Sequence, residues 1–167
     1  MALHTDLLVQ ARHLASNEPK RPKQASLRRA ASSAYYALFH FLIEKSTRLI
    51  VSGGSADRQV LRNAVSRAFK HSQMASVSRA FGGAGNNAWK ALFPGPVPPD
   101  LATIASTFAD LQQARHEADY DLTRDFSRAE VLGLITRVQH ATRVWPNIDD
   151  EAMTRAYLLG LVLTTRA

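Results

Sequence analysis

The stretch from Ala25 to Arg48, ASLRRAASSAYYALFHFLIEKSTR, limits the chain's options more than any other. It holds neither Pro nor Gly and is rich in Ala, Leu and Arg, so it predicts about six turns of uninterrupted helix. Leu27, Ala30, Ala31, Ala34, Ala37, Leu38, Phe41 and Leu42 recur at helical spacing. The resulting apolar stripe is too wide for a surface helix, which makes this the central helix of an all-α bundle. The small residues at 30, 31, 34 and 37 admit a close neighbour. Ser32, Tyr36 and His40 follow one another at i, i+4 and i+8, with Glu44 a turn further on. Four polar groups therefore lie near one line of an otherwise apolar helix, and they require partners.

The remaining segments fit around that helix. Leu3, Leu7, Leu8, Ala11 and Leu14 predict a first helix over 3–15, stopped by Asn17-Glu18-Pro19. KRPK at 20–23 reads as a basic linker whose Pro22 opens the central helix, and Ser52-Gly53-Gly54 closes that helix near Val51. Ser55 is placed to cap a third helix over 56–80, with Val60, Leu61, Ala64, Val65, Ala68 and Phe69 inward. Its other face would carry a basic stripe of Arg58, Arg62, Arg67, Lys70 and Arg79, with His71 beside it. Residues 82–99 are irregular, and Asn87 is placed to cap one turn that anchors Trp89, Leu92 and Phe93. The GGAG there lacks the Lys-Ser/Thr ending and the preceding strand of a phosphate-binding loop.

Asp100 is expected to cap a fourth helix over 101–121, with Leu101, Ile104, Phe108, Leu111 and Ala118 facing inward. Ser127 and Glu130 form a capping box that starts a fifth helix, which runs to Val144 before Trp145-Pro146 ends it. Asn147 or Asp149 would cap a last helix over 150–164. No strand pattern and no repeat is present. The expected class is all-α: one domain, an up-and-down helical bundle of four long helices plus one or two shorter ones.

Composition narrows the chemistry. Lys and Arg number 21 against 14 Asp and Glu, a formal charge of +7, which points toward an anionic partner such as RNA, DNA, a nucleotide or an acidic protein. The absence of Cys excludes disulfides, thiolate metal sites and a Cys nucleophile, and it suits a reducing cytoplasm. No leader segment is visible, and the longest apolar run, 156–163, is too short for a membrane helix. His stands at 4, 13, 40, 71, 116 and 140, with no His-Glu-x-x-His and no tight carboxylate cluster, so no metal and no cofactor is expected.

The most distinctive heptapeptide is Arg115-His116-Glu117-Ala118-Asp119-Tyr120-Asp121. On a helix Arg115 and Asp119 are one turn apart, as are His116 and Tyr120. An Arg held by an Asp is oriented to take a phosphate oxygen, and an imidazole beside it can move a proton near neutral pH. Those are parts of a metal-independent ribonuclease. The same residues also fit an Arg–Asp pair that fastens helix to helix, with Tyr120 packed in the core.

SAYYALFH at 33–40, followed by RHEADYD at 115–121, resembles the HEPN superfamily, in particular small bacterial and archaeal members with an A-YYA-FH helix and an R-x-x-A-D-Y segment. KHSQM at 70–74 and Arg79-Ala80-Phe81 resemble that group's intervening helix, so the resemblance covers about 25–125. It implies an up-and-down bundle, a homodimer, and in active members an Arg and a His of an R-x4–6-H motif that cut RNA without metal. Many members are toxins encoded beside a nucleotidyltransferase-like antitoxin. In this chain Arg115 matches, but Tyr120 stands where the motif has His. On this resemblance Arg115 binds phosphate, Asp119 orients it, and Tyr120 and His40 line the cleft. His116 is a further proton-transfer candidate, and Tyr36, Arg62, Arg67 and His71 are candidate binding residues. The competing expectation is a non-catalytic module that binds a partner protein or a nucleotide.

Overall fold

A computed structural model describes residues 2–85, 87–92 and 95–164. Two helices, α1 (Leu3–Ser16) and α2 (Gln24–Ile50), form an antiparallel hairpin in which Ser33 meets Gln10 and His4 meets Phe41. Ala30, Ala31, Ala34 and Ala37 of α2 are all completely buried, so that α1, α6 (Pro99–Tyr120) and α7 (Arg128–Val144) approach closely. Successive long helices alternate in direction. Ser32 and Tyr36 of α2 meet Asp119 and Arg115 of α6, and Asp110 of α6 meets Arg137 of α7. Among the described residues there is no strand, and one buried cluster runs from Leu8 to Leu161.

The expected third helix is two helices, α3 (Ala56–Ser66) and α4 (His71–Phe81). Its core residues explain the break. Arg62 is the buried residue of α3, whereas α4 buries Met74, Val77, Ser78 and Phe81. On one straight helix those two faces would point about 110° apart, and the turn between them lets each helix bury its own face. The turn lies at 67–70, where Lys70 is extended and Phe69 is buried. The orientation of α3 also differs from the expectation, although Val65 and Phe69 do pack inward. Val60 is 67% and Leu61 54% exposed, and Arg62 faces inward. Its Nη1 donates to the carbonyls of Val51 at 3.1 Å and Gly53 at 2.7 Å, where α2 ends and needs acceptors satisfied.

Arginines close other helix ends in the same way. Arg28 donates to the carbonyls of Ala118, Asp121 and Arg124 at the end of α6. Arg128 donates to those of Ala15, Glu18 and Pro19 after α1. Part of the positive surplus is thus internal to the bundle.

Several boundaries differ from expectation. Pro98, not Asp100, precedes α6, and Asp100 sits in its first turn. Asn87 does cap a single turn, α5 (Ala88–Ala91), accepting from the Trp89 N–H at 2.8 Å, but Leu92 is exposed and Phe93 lies outside the described residues. Ser127 caps α7 as expected, while the Glu130 carboxylate pairs with Arg124 instead of completing the box. The last helix, α8, is only Ala152–Gly160. Asn147 and Asp149 do not cap it: they lie in and after a short 3-10 turn, where Asp149 accepts from the Trp145 indole at 2.6 Å.

Candidate functional site

The polar line along α2 finds its partners chiefly on α6. Ser32 Oγ donates to Asp119 Oδ1 at 2.9 Å, and Arg115 Nη2 reaches the Tyr36 hydroxyl at 3.3 Å. Arg115 Nε stands 2.8 Å from Asp119 Oδ2, yet its N–H is not aimed at that oxygen, so the contact is an ion pair rather than a directed hydrogen bond. The guanidinium lies against two phenol rings, 5.8 Å from the centre of Tyr36 and 5.7 Å from that of Tyr120. These groups line an open groove of about 560 Å3 between α2 and α6, with Arg28 and Arg29 on the α2 side. Arg29 is exposed and no carboxylate pairs with it among the described residues, whereas Arg28 is engaged by the end of α6.

A layer of rings backs the groove. His71, at the start of α4, stacks on Phe39 with centres 4.6 Å apart, and its Nδ1 is 2.5 Å from the hydroxyl of Tyr35. Tyr36 packs edge-on against His71, and His40 lies beside Tyr36 and Phe39. Burial pushes the Tyr35 phenol up, with the neighbouring Tyr36 adding to the effect, so Tyr35 keeps its proton and shares a hydrogen bond with His71 Nδ1. Burial lowers the pKa of His71, and the charge of Arg115 lowers it further. His40 is lowered by burial first and then by His71. Burial alone would weaken the charge on Arg115, but Tyr36 and Asp119 hold its pKa above the ordinary arginine value. At neutral pH the Arg115–Asp119 ion pair therefore lies beside two neutral imidazoles, with Arg28 and Arg29 adding positive charge along the α2 side of the groove.

The expected site residues divide into two groups. Arg115, Asp119, Tyr120 and Tyr36 line the groove together. His40 and His71 join them through ring contacts. His116 is exposed and touches the groove only through the Tyr120 ring, with centres 5.1 Å apart. Two do not join. Arg62 is buried at the end of α2, and Arg67 is exposed at the end of α3, so the expected basic stripe is interrupted. Arg58 is likewise engaged, by the carbonyl of Ser52. Tyr120 is 65% exposed rather than packed in the core. The Arg115–Asp119 pair does fasten α6 to α2, through Tyr36 and Ser32.

Sequence reasoning missed Arg29 and Tyr35. The signal for Arg29 was its spacing, three and seven residues before Ser32 and Tyr36 on the same face. Tyr35 sits beside Tyr36 but points inward, where only tertiary contact shows that it holds His71. Among the described residues no group of three or more His, Asp or Glu is arranged to hold a metal ion, and no helix is long and apolar enough to cross a membrane. No family model matches the chain, and no curated protein or solved structure matches it.

Proposed function

We propose that the α2–α6 groove binds single-stranded RNA, with Arg115 on a phosphate and Tyr36 and Tyr120 against bases. The observation that carries this reading is the setting of Arg115: a guanidinium held by Asp119, flanked by two phenol rings and open to a groove that also holds the unpaired Arg29. A guanidinium takes phosphate oxygens in pairs, and phenol rings stack on bases of any sequence. The resemblance of 33–40 and 115–121 to HEPN proteins supports the same reading. With it go a pair of copies in solution, a cytoplasmic location, and a nucleotidyltransferase-like partner in a toxin–antitoxin or defence system, each part of the proposal.

Metal-independent cleavage is the second reading. The observation that favours it is the presence of two neutral imidazoles, His40 and His71, in the ring layer behind Arg115. Against it, the hydrogen bond to Tyr35 occupies one of the two ring nitrogens of His71. The test is incubation of the protein with single-stranded and structured RNA in chelator, beside Arg115→Ala. Retention of RNA without cleavage, lost in the variant, supports binding. Cleavage lost in the variant supports the ribonuclease. RNA retained equally by both proteins removes Arg115 from either role.

A further inference from the structure

A second cavity lies on the other flank of α6, between its N-terminal half and the C-terminal half of α7. It encloses about 400 Å3, within the range of small-molecule sites. Thr103 and Thr107 of α6 and Thr136, His140 and Arg143 of α7 line it, and no carboxylate does. The threonine methyl groups and the arginine stems make the walls largely apolar.

Its polar groups are unbalanced in one direction. Arg143 has no carboxylate partner among the described residues, and its Nη2 donates to His140 Nδ1 at 3.0 Å. A guanidinium only donates, so His140 accepts at Nδ1 and turns Nε2–H outward as a donor. Both residues therefore offer donors. Arg137, at the edge, is already paired with Asp110 at 2.7 Å. The cavity floor carries a further irregularity. Thr103 and Thr136 each return their hydroxyl to the carbonyl one turn back, at Pro99 and Leu132. Thr107, only 1% exposed, does not, and its hydroxyl has no partner among the described residues.

We propose that this cavity binds a small organic anion, a phosphate or carboxylate on a compact apolar body, with Arg143 and His140 on the anionic head. The apolar walls take the body, and the absence of any lining carboxylate leaves nothing to repel the head. A bare inorganic ion would leave those walls uncovered. The inference is independent of RNA binding: Thr107 precedes Arg115 by eight residues, about 12 Å along α6, and the two cavities share no lining residue.

The test is a titration of isotope-labelled full-length protein with phenyl phosphate, benzoate and the uncharged benzyl alcohol, followed by amide chemical shifts. Saturable shifts confined to 103–107 and 136–143 are expected with phenyl phosphate, benzoate or both, and which of the two saturates identifies the preferred head. Arg143→Gln, an exposed substitution that leaves the melting temperature unchanged, is expected to weaken binding about tenfold. Equal saturation by benzyl alcohol, affinity untouched by Arg143→Gln, or no saturable shift with either anion at tens of millimolar would each overturn the proposal.

Discussion

The orientation of α3 can be tested by three substitutions whose effects invert if the helix is turned the other way. Arg62 is 7% exposed and makes two hydrogen bonds to carbonyls at the end of α2. Hydrogen bonds from a charged donor contribute about 1.5–3 kcal/mol each. Val51 is half-buried and Gly53 exposed, so water replaces much of what Arg62→Ala removes, leaving a net loss of about 2 kcal/mol. For a chain of this size that lowers Tm by about 4–8 °C. Val60 and Leu61, by contrast, are 67% and 54% exposed. Replacing either by Gln, a good helix former with an aliphatic stem, should cost under about 1 kcal/mol. If both residues faced the core as their periodicity suggests, each would cost about 2–5 kcal/mol. Chemical denaturation of the three variants decides the matter. A large loss for Val60→Gln and Leu61→Gln, with none for Arg62→Ala, would refute the orientation.

Other consequences follow from specific contacts. A Cβ at Gly82 would come within 2.9 Å of the Ser106 backbone N, so Gly82→Ala should separate α4 from α6 and cost about 1–3 kcal/mol in denaturation midpoint measurements. Thr107→Val removes a buried hydroxyl without a partner and keeps the shape, so it should raise stability by about 1 kcal/mol and Tm by about 2–4 °C. His40 and His71 have pKa values below their ordinary 6.5, so the unfolded chain binds more protons as the pH falls through that value. Stability from these groups is intact above it and declines below it, levelling off once the folded rings also protonate; Tm should fall on acidification toward about pH 5.5, and His40→Gln should reduce the fall.

The long helices were legible because their apolar periodicity is sustained; of their expected caps, Ser127 of α7 is the one that forms. The buried alanines of α2, the Ser127 cap and the Asn87 turn all follow from residue type and spacing. The division between α3 and α4 is not marked by Gly or Pro, yet the apolar phase shifts between Val60–Ala64 and Met74–Phe81. That shift was readable; the inward turn of Arg62 was not. It depends on carbonyls at the end of another helix, which no pattern within α3 encodes. At the site, the spacing of Arg115 and Asp119 pointed to one face of α6, and that of Ser32, Tyr36 and His40 to one face of α2. His71 joined them because α4, packed on α6, brings its first residue against the rings of α2, and His116 turned toward solvent because one residue on a helix is about 100° of rotation.

The central claim is that Arg115 holds RNA phosphate in the α2–α6 groove. The most direct measurement is fluorescence anisotropy of a labelled single-stranded RNA with wild type and Arg115→Ala, in chelator, over a series of salt concentrations. The account predicts salt-dependent binding by wild type and, for Arg115→Ala, weaker binding with a salt slope shallower by about 0.7 for the one lost phosphate contact. Binding of equal strength and slope by the two proteins would contradict it.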